Sequence, residues 1–200
     1  EGTPRDAYGC CLGASRSGGR PRSPRAIYEA ARRACTARHP DPIRCLEAAN
    51  LQMDGRGTER NPQAAMDEFE RLCRTGGSGE ACRRFAVGLR DGTGRAASAE
   101  EGYRRLAALC DATGYPRACI SQGWSLAEGR GVARDDARSA ALYRQACDGG
   151  NMLGCTDLGV MYANGRGVPQ DDARAVALYR QACDGGEMVS CGNLGFLYEA

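Results

Sequence analysis

The sequence predicts an all-α fold, an α/α solenoid of about five helix–turn–helix repeats. Three phased features carry that prediction. Cys45, Cys82, Cys119, Cys155 and Cys191 recur in steps of 37, 37, 36 and 36 residues, and Cys35, Cys73, Cys110, Cys147 and Cys183 in steps of 38, 37, 37 and 36. Ten and twelve residues after each of the first four cysteines of the first set stand two glycines: Gly55 and Gly57, Gly92 and Gly94, Gly129 and Gly131, Gly165 and Gly167. Sixteen residues after the same cysteines stand Asn61, Ser98, Asp135 and Asp171, each twelve before a cysteine of the second set. All length variation lies between the two cysteines of a pair, which are 10, 9, 9, 8 and 8 apart. Insertions confined to one point of a repeat mark a surface loop.

Each element follows from these columns. One helix type, B, runs from the caps Ser23, Asn61, Ser98, Asp135 and Asp171 to about the next cysteine. A short side-chain oxygen at the cap accepts from an orphan backbone N–H. Pro24 and Pro62 follow two of these caps; proline at the first helical position costs no hydrogen bond and presets φ. The B core stripe joins the cysteine to Tyr28 and Ala31, Met66 and Phe69, Tyr103 and Leu106, Ala140 and Tyr143, Val176 and Tyr179. The other type, A, starts just before each first-set cysteine and ends at the Gly-x-Gly, whose glycine supplies a left-handed C-cap. Four residues after that cysteine come Ala49, Ala86, Gly123, Gly159 and Gly195, small enough to admit another helix at close range. No helix pair of this kind buries its apolar face alone. Stacking the pairs shares one continuous core.

Composition narrows the chemistry. The chain has 200 residues, a mass of 21.2 kDa and a net charge of +2, too near neutral for a strong phosphate-binding surface. Only 3 Phe and 1 Trp occur, so the core is expected to come from small side chains in close contact. All 27 cations are Arg, which excludes Schiff bases, a P-loop lysine and a Ser-x-x-Lys pair. No apolar run reaches the roughly 18–20 residues of a membrane span. Without a visible signal peptide and with Glu1 first, the sequence reads as a processed or excised segment. Residues 1–22 read as a flexible Gly/Ser/Arg-rich leader whose Cys10 and Cys11 are free, paired or part of a degenerate repeat. The solenoid is expected over 23–200. It ends in an A helix without Gly-x-Gly or B helix, so a truncated C-terminal end is expected.

The stretch Cys155, Leu158, Gly159, Tyr162, Gly165, Gly167, Asp171, Ala175, Leu178, Tyr179 and Cys183 resembles a Sel1-like repeat, of the wider tetratricopeptide-type solenoids. The paired cysteines make it similar to the Helicobacter cysteine-rich proteins. The resemblance covers about residues 23–200 and is strongest over 119–200. It is looser at Gln52 and Leu89, where the later repeats have Tyr162 and Tyr198. It implies a right-handed α/α superhelix.

Three roles are open to the cysteines. Free core thiols would not explain two per repeat. Zinc lacks a Cys-x-x-Cys, and His39 is the only histidine. A disulfide ladder would pair Cys35–Cys45, Cys73–Cys82, Cys110–Cys119, Cys147–Cys155 and Cys183–Cys191, and is preferred. It implies an oxidising compartment, secreted or periplasmic in a bacterium. Since a cysteine-rich Sel1-like protein serves cytochrome oxidase assembly there, the resemblance offers the mitochondrial intermembrane space as the alternative.

Some relatives in that family are named β-lactamases and penicillin-binding proteins, which implies a hydrolase as one alternative. The residues favour it little: there is no lysine, and a Ser-His triad would rest wholly on His39, before Pro40 in a variable loop. No catalytic residue, cofactor or metal is assigned. The preferred function is a scaffold that binds a peptide or protein in a concave groove. In tetratricopeptide-type folds the A helices line it. The fifth residue after the A-helix cysteine is Asn50, Val87, Trp124, Val160 or Phe196. Flanking columns add Arg83 and Ile120 at the first residue and Arg90 at the eighth. An aromatic flanked by arginines suits an extended peptide, with Arg holding carboxylates. The competing role for these side chains is packing on the neighbouring A helix. Arginine is spread along the chain without interleaved aromatics, so no nucleic acid partner is expected. A monomer is expected.

Overall fold

The computed structural model describes residues 23–76 and 78–199, and the segment 1–22 with Cys10 and Cys11 lies outside them. All regular elements among the described residues are helices. The B type comprises α1 (Pro24–Cys35), α3 (Pro62–Arg74), α5 (Ala99–Thr113), α7 (Asp136–Asp148) and α9 (Asp172–Asp184). The A type comprises α2 (Pro42–Asp54), α4 (Gly79–Asp91), α6 (Pro116–Glu128), α8 (Met152–Asn164) and α10 (Met188–Glu199). Each helix packs on the next, giving the α/α solenoid expected from the columns.

Four of the five B-helix caps bond as expected. Asn61, Asp135 and Asp171 accept from the backbone N–H three residues on at 3.0, 2.9 and 2.9 Å, and Ser23 accepts from Ala26 at 3.3 Å. Ser98 holds the cap position without a side-chain bond; Glu100 and Glu101 occupy that first turn, where negative charge favours the helix dipole. The first glycine after each of α2, α4, α6 and α8 is left-handed, with φ of 72, 74, 65 and 62°. The second has a further role. A Cβ on Gly131 would lie 2.0 Å from the Ala99 carbonyl oxygen, and one on Gly167 2.2 Å from the Asp136 carbonyl. The turn after each A helix therefore rests directly on the first turn of the B helix before it.

The small column on the A helices works by size matching. A Cβ on Gly123 would meet the Tyr143 ring at 2.9 Å, and one on Gly159 the Tyr179 ring at 2.7 Å. Where the A helix has Ala49, the facing B residue is Phe69 in the same buried cluster. At this B-helix position the tyrosine rings of Tyr143 and Tyr179 face glycine, and Phe69 faces alanine.

The five disulfides join the predicted pairs, Cys35–Cys45, Cys73–Cys82, Cys110–Cys119, Cys147–Cys155 and Cys183–Cys191, with Cα atoms 4.6 to 4.9 Å apart. Each ties the end of a B helix to the start of the next A helix. Five such bonds suit an oxidising environment. Glu68 lies near Cys35 and Cys45, but those sulfurs are spent in the disulfide and offer no thiolate to a metal. No described helix is long and apolar enough to cross a membrane.

One core position is anomalous. Gln122 on α6 is fully buried, and neither its Nε2 nor its Oε1 finds a hydrogen-bond partner among the described residues. The same column holds Phe85 and Leu158, both buried. Gln122→Leu is expected to stabilise the fold by about 1–3 kcal/mol, the desolvation penalty of an unpaired amide. Thermal melting at neutral pH checks this; a lower melting temperature would mean the amide is bonded.

Candidate binding groove on the A helices

Beyond sequential neighbours, helices approach closely as α4 with α6 and α6 with α8. The A helices therefore touch one another from repeat to repeat, and their edge is the candidate groove surface. Trp124 stands on that edge, 39% exposed. Its register explains this. Cys119, Gln122 and Leu126 point into the core, with exposures of 0, 0 and 1%, and Trp124 is about 140° around α6 from Cys119 at 3.6 residues per turn.

Arginines frame the indole. The Arg90 guanidinium lies 4.1 Å from the ring centroid and that of Arg130 5.8 Å, within cation–π range. Arg90 is itself held from α4. It donates two bonds to Asp91, at 2.8 and 3.0 Å, and others to Ser125 Oγ at 3.2 Å and the Ser121 carbonyl at 3.3 Å. Arg130 reaches Asp91 only at 3.4 Å. The hydrogen bond from Arg90 holds the Asp91 carboxyl below the usual range, against its partial burial.

A second charged node lies at the other end of α4 and α6. Glu80 accepts from Arg83 at 2.9 and 2.6 Å, from Arg84 at 2.9 Å and from the Tyr115 hydroxyl at 3.0 Å. Arg117 stands further off, at 3.7 Å. Burial alone would raise the Glu80 pKa, but the arginines outweigh it and bring it to about 2. Glu80 and Asp91 therefore stay ionised at neutral pH.

The other groove candidates divide. Arg90 is buried between α4 and α6, and Ile120 in the core cluster with α7 and α8, at 8 and 7% exposure. Arg83, Asn50, Val87 and Val160 are half-buried; Asn50 keeps an unpaired buried Oδ1. Phe196 on α10 is 73% exposed. His39 is exposed in the loop between α1 and α2. Sequence columns missed Asp91, Glu80, Arg117 and Arg130, since these ion pairs are specific to one repeat and recur in no column. One signal was available: the residue inside each Gly-x-Gly is Arg56, Thr93, Arg130 or Arg166. Arg166, like Arg130, reaches the C-terminal turn of the preceding A helix, bonding the Ala127 carbonyl at 3.0 Å. Cations there favour the helix dipole.

On α8 lies a group of opposite behaviour. Burial, reinforced by the Glu187 charge, pushes the Asp157 carboxyl up to about 7. Between its ordinary pKa near 3.8 and about 7 the folded chain keeps a proton that the unfolded chain has lost. Its contribution to stability is thus fullest below pH 4 and disappears as pH rises through 7. Asp157→Asn is expected to stabilise by about 1–3 kcal/mol at pH 8 and negligibly at pH 4. Melting curves across that range test it; an equal effect at both ends would show that ionisation is not the cause.

The Sel1 repeat profile matches residues 45–67, 116–151 and 153–187. No curated protein matches the sequence. Among solved structures, the Sel1 repeat protein from Oxalobacter formigenes is 21% identical, with a TM-score of 0.73 over 86% of this chain and 72% of its own. The protective antigen c5321 of uropathogenic Escherichia coli, described as displaying an SLR fold, is 22% identical, with a TM-score of 0.64 over 86% of this chain and 40% of its own. Helicobacter pylori cysteine rich protein B is 22% identical, with a TM-score of 0.53 over 64% of this chain and 96% of its own. Identities this low establish a shared fold. The chain thus carries Sel1 repeats over the matched residues, its unmatched parts repeat the same cap, Gly-x-Gly and cysteine pair, and the described residues form an α/α solenoid stapled by disulfides.

Proposed function

We propose that this chain is a disulfide-stapled scaffold, working as a monomer in a secreted or periplasmic setting, that binds a peptide or protein partner along its A-helix groove. The observation that supports this most is Trp124. It is the chain's one tryptophan, it keeps 39% of its surface exposed, and two arginine guanidiniums lie against its ring. Buried, partly framed aromatics and arginines are the usual anchors of interfaces. Disulfides at every repeat give the groove a fixed shape before a partner arrives, which lowers the ordering cost of binding.

The test uses peptides selected on the intact chain from a random library. Trp124→Ala is expected to weaken their binding by about 2 kcal/mol or more. The fold should lose much less than the roughly 3–5 kcal/mol of a buried Trp truncation. A large drop in stability with unchanged peptide affinity would reject Trp124 as an anchor.

A further inference from the structure

Two exposed arginines before and after Trp124 in the chain, Arg117 and Arg130, are the more distant partners of carboxylates that other arginines hold more closely. Asp91 is already doubly bonded by Arg90 at 2.8 and 3.0 Å, and Arg130 stands outside that pair at 3.4 Å with half its side chain exposed. Glu80 is already filled by Arg83, Arg84 and Tyr115, and Arg117 stands outside at 3.7 Å, with 43% of its side chain exposed. Five arginines thus surround two carboxylates, and the two loosest arginines are the exposed ones. Glu128, the acid one turn beyond Trp124, faces Arg166 at 3.8 Å.

These exposed groups share a face. Arg117 and Trp124 are seven residues apart on α6, which brings them back within about 20° of each other. Arg130 lies past the helix end, but its guanidinium is 5.8 Å from the same indole. Arg117 and Trp124 are about 10 Å apart along the helix axis, and the Arg130 guanidinium lies a further 5.8 Å or less from the indole centroid, so an extended heptapeptide, about 20 Å long, spans all three.

We propose that the α6 face bearing Arg117, Trp124 and Arg130 binds an extended acidic peptide segment, with one carboxylate at each arginine and an apolar side chain between them on Trp124. This rests on the groove function above and gives its occupant a chemistry. The charge complementarity is local: the chain as a whole is nearly neutral at +2, whereas this stripe carries cations whose countercharge is shared. Exposed guanidiniums take carboxylates with directed hydrogen bonds. The apolar centre uses the indole, which excludes water from the flanking pairs.

The single tryptophan makes the site self-reporting. The probes are three heptapeptides blocked at both ends: Glu-Ser-Thr-Leu-Thr-Ser-Glu, the same with Gln at both ends, and the same with Lys. They are titrated into the intact chain at low salt while Trp124 emission is followed. The acidic peptide is expected to bind about tenfold tighter than the Gln peptide, the Lys peptide least, with the preference fading at high salt. Arg117→Gln and Arg130→Gln should each weaken the acidic peptide about three- to fivefold and leave the Gln peptide unchanged.

Equal affinity for the acidic and Gln peptides would overturn the acidic specificity and leave the groove intact. A null response to all three, while library-selected peptides still move Trp124 emission, would do the same. If no selected peptide moves that emission, the groove function itself fails. A single-stranded oligothymidylate that matches the acidic peptide would overturn the peptide class in favour of a general polyanion site.

Discussion

Reduction of the five disulfides is expected to unfold this solenoid. Each bridge closes a segment of 8 to 10 residues, and loops of that size stabilise by about 2–3 kcal/mol each on the chain-entropy account. Five together reach about 10–15 kcal/mol, which equals the whole net stability of an ordinary domain. The core offers little in reserve. Phe69, Met66, Leu72, Leu106 and Leu126 are its largest fully buried apolar side chains, and much of the rest is alanine and cysteine. Each repeat touches mainly its neighbours, so losing one staple is felt first in the repeats it joins. Helicity followed by circular dichroism with and without a phosphine reductant measures the total effect. Cys110→Ala with Cys119→Ala measures one bridge, expected at about 2–3 kcal/mol. Peptide mapping without reductant should return the five local pairs and none between distant repeats. A reduced chain that melts cooperatively at an unchanged temperature would sink the expectation.

Gly131→Ala is expected to be among the most damaging single substitutions. Its φ of 77° already disfavours a Cβ, and that Cβ would sit 2.0 Å from the Ala99 carbonyl oxygen. A backbone atom at the start of α5 cannot swing aside as a long side chain can. The cost is expected to exceed about 3 kcal/mol, conformational strain and displacement of α5 combined. Gly114→Ala is the control, because Gly114 has a φ of 62° with nothing within 4 Å of its Cβ position. That variant carries the backbone term alone, about 1–2 kcal/mol. Denaturant melts of the two separate the contributions. Equal losses would mean that the contact with α5 relaxes at no cost.

The sequence by itself determined the solenoid, its phase and its staples. Caps, glycines and cysteines are local devices: each acts on backbone within a few residues of itself, so a column of them is readable without knowing what lies across the molecule. The local pairing of cysteines belongs to the same class, because 8 to 10 residues leave only one nearby partner. The helical register likewise carried Trp124 off the core face. Tertiary structure decided what register cannot. Arg90 and Ile120 stand in columns adjacent to Trp124, yet the meeting of α4 with α6 buries Arg90, and α7 and α8 bury Ile120 in their shared core cluster. Gln122 occupies a core column as an unpaired amide, and only packing reveals that no partner reaches it. The pairs of Arg90 with Asp91 and of Arg83 and Arg84 with Glu80 are local to α4, but only the fold brings Tyr115, Arg117 and Arg130 from later segments to those same carboxylates, at 3.0, 3.7 and 3.4 Å. Charges far apart in the chain have no period to betray them, so composition reports their sum while the fold alone sets where that sum is spent.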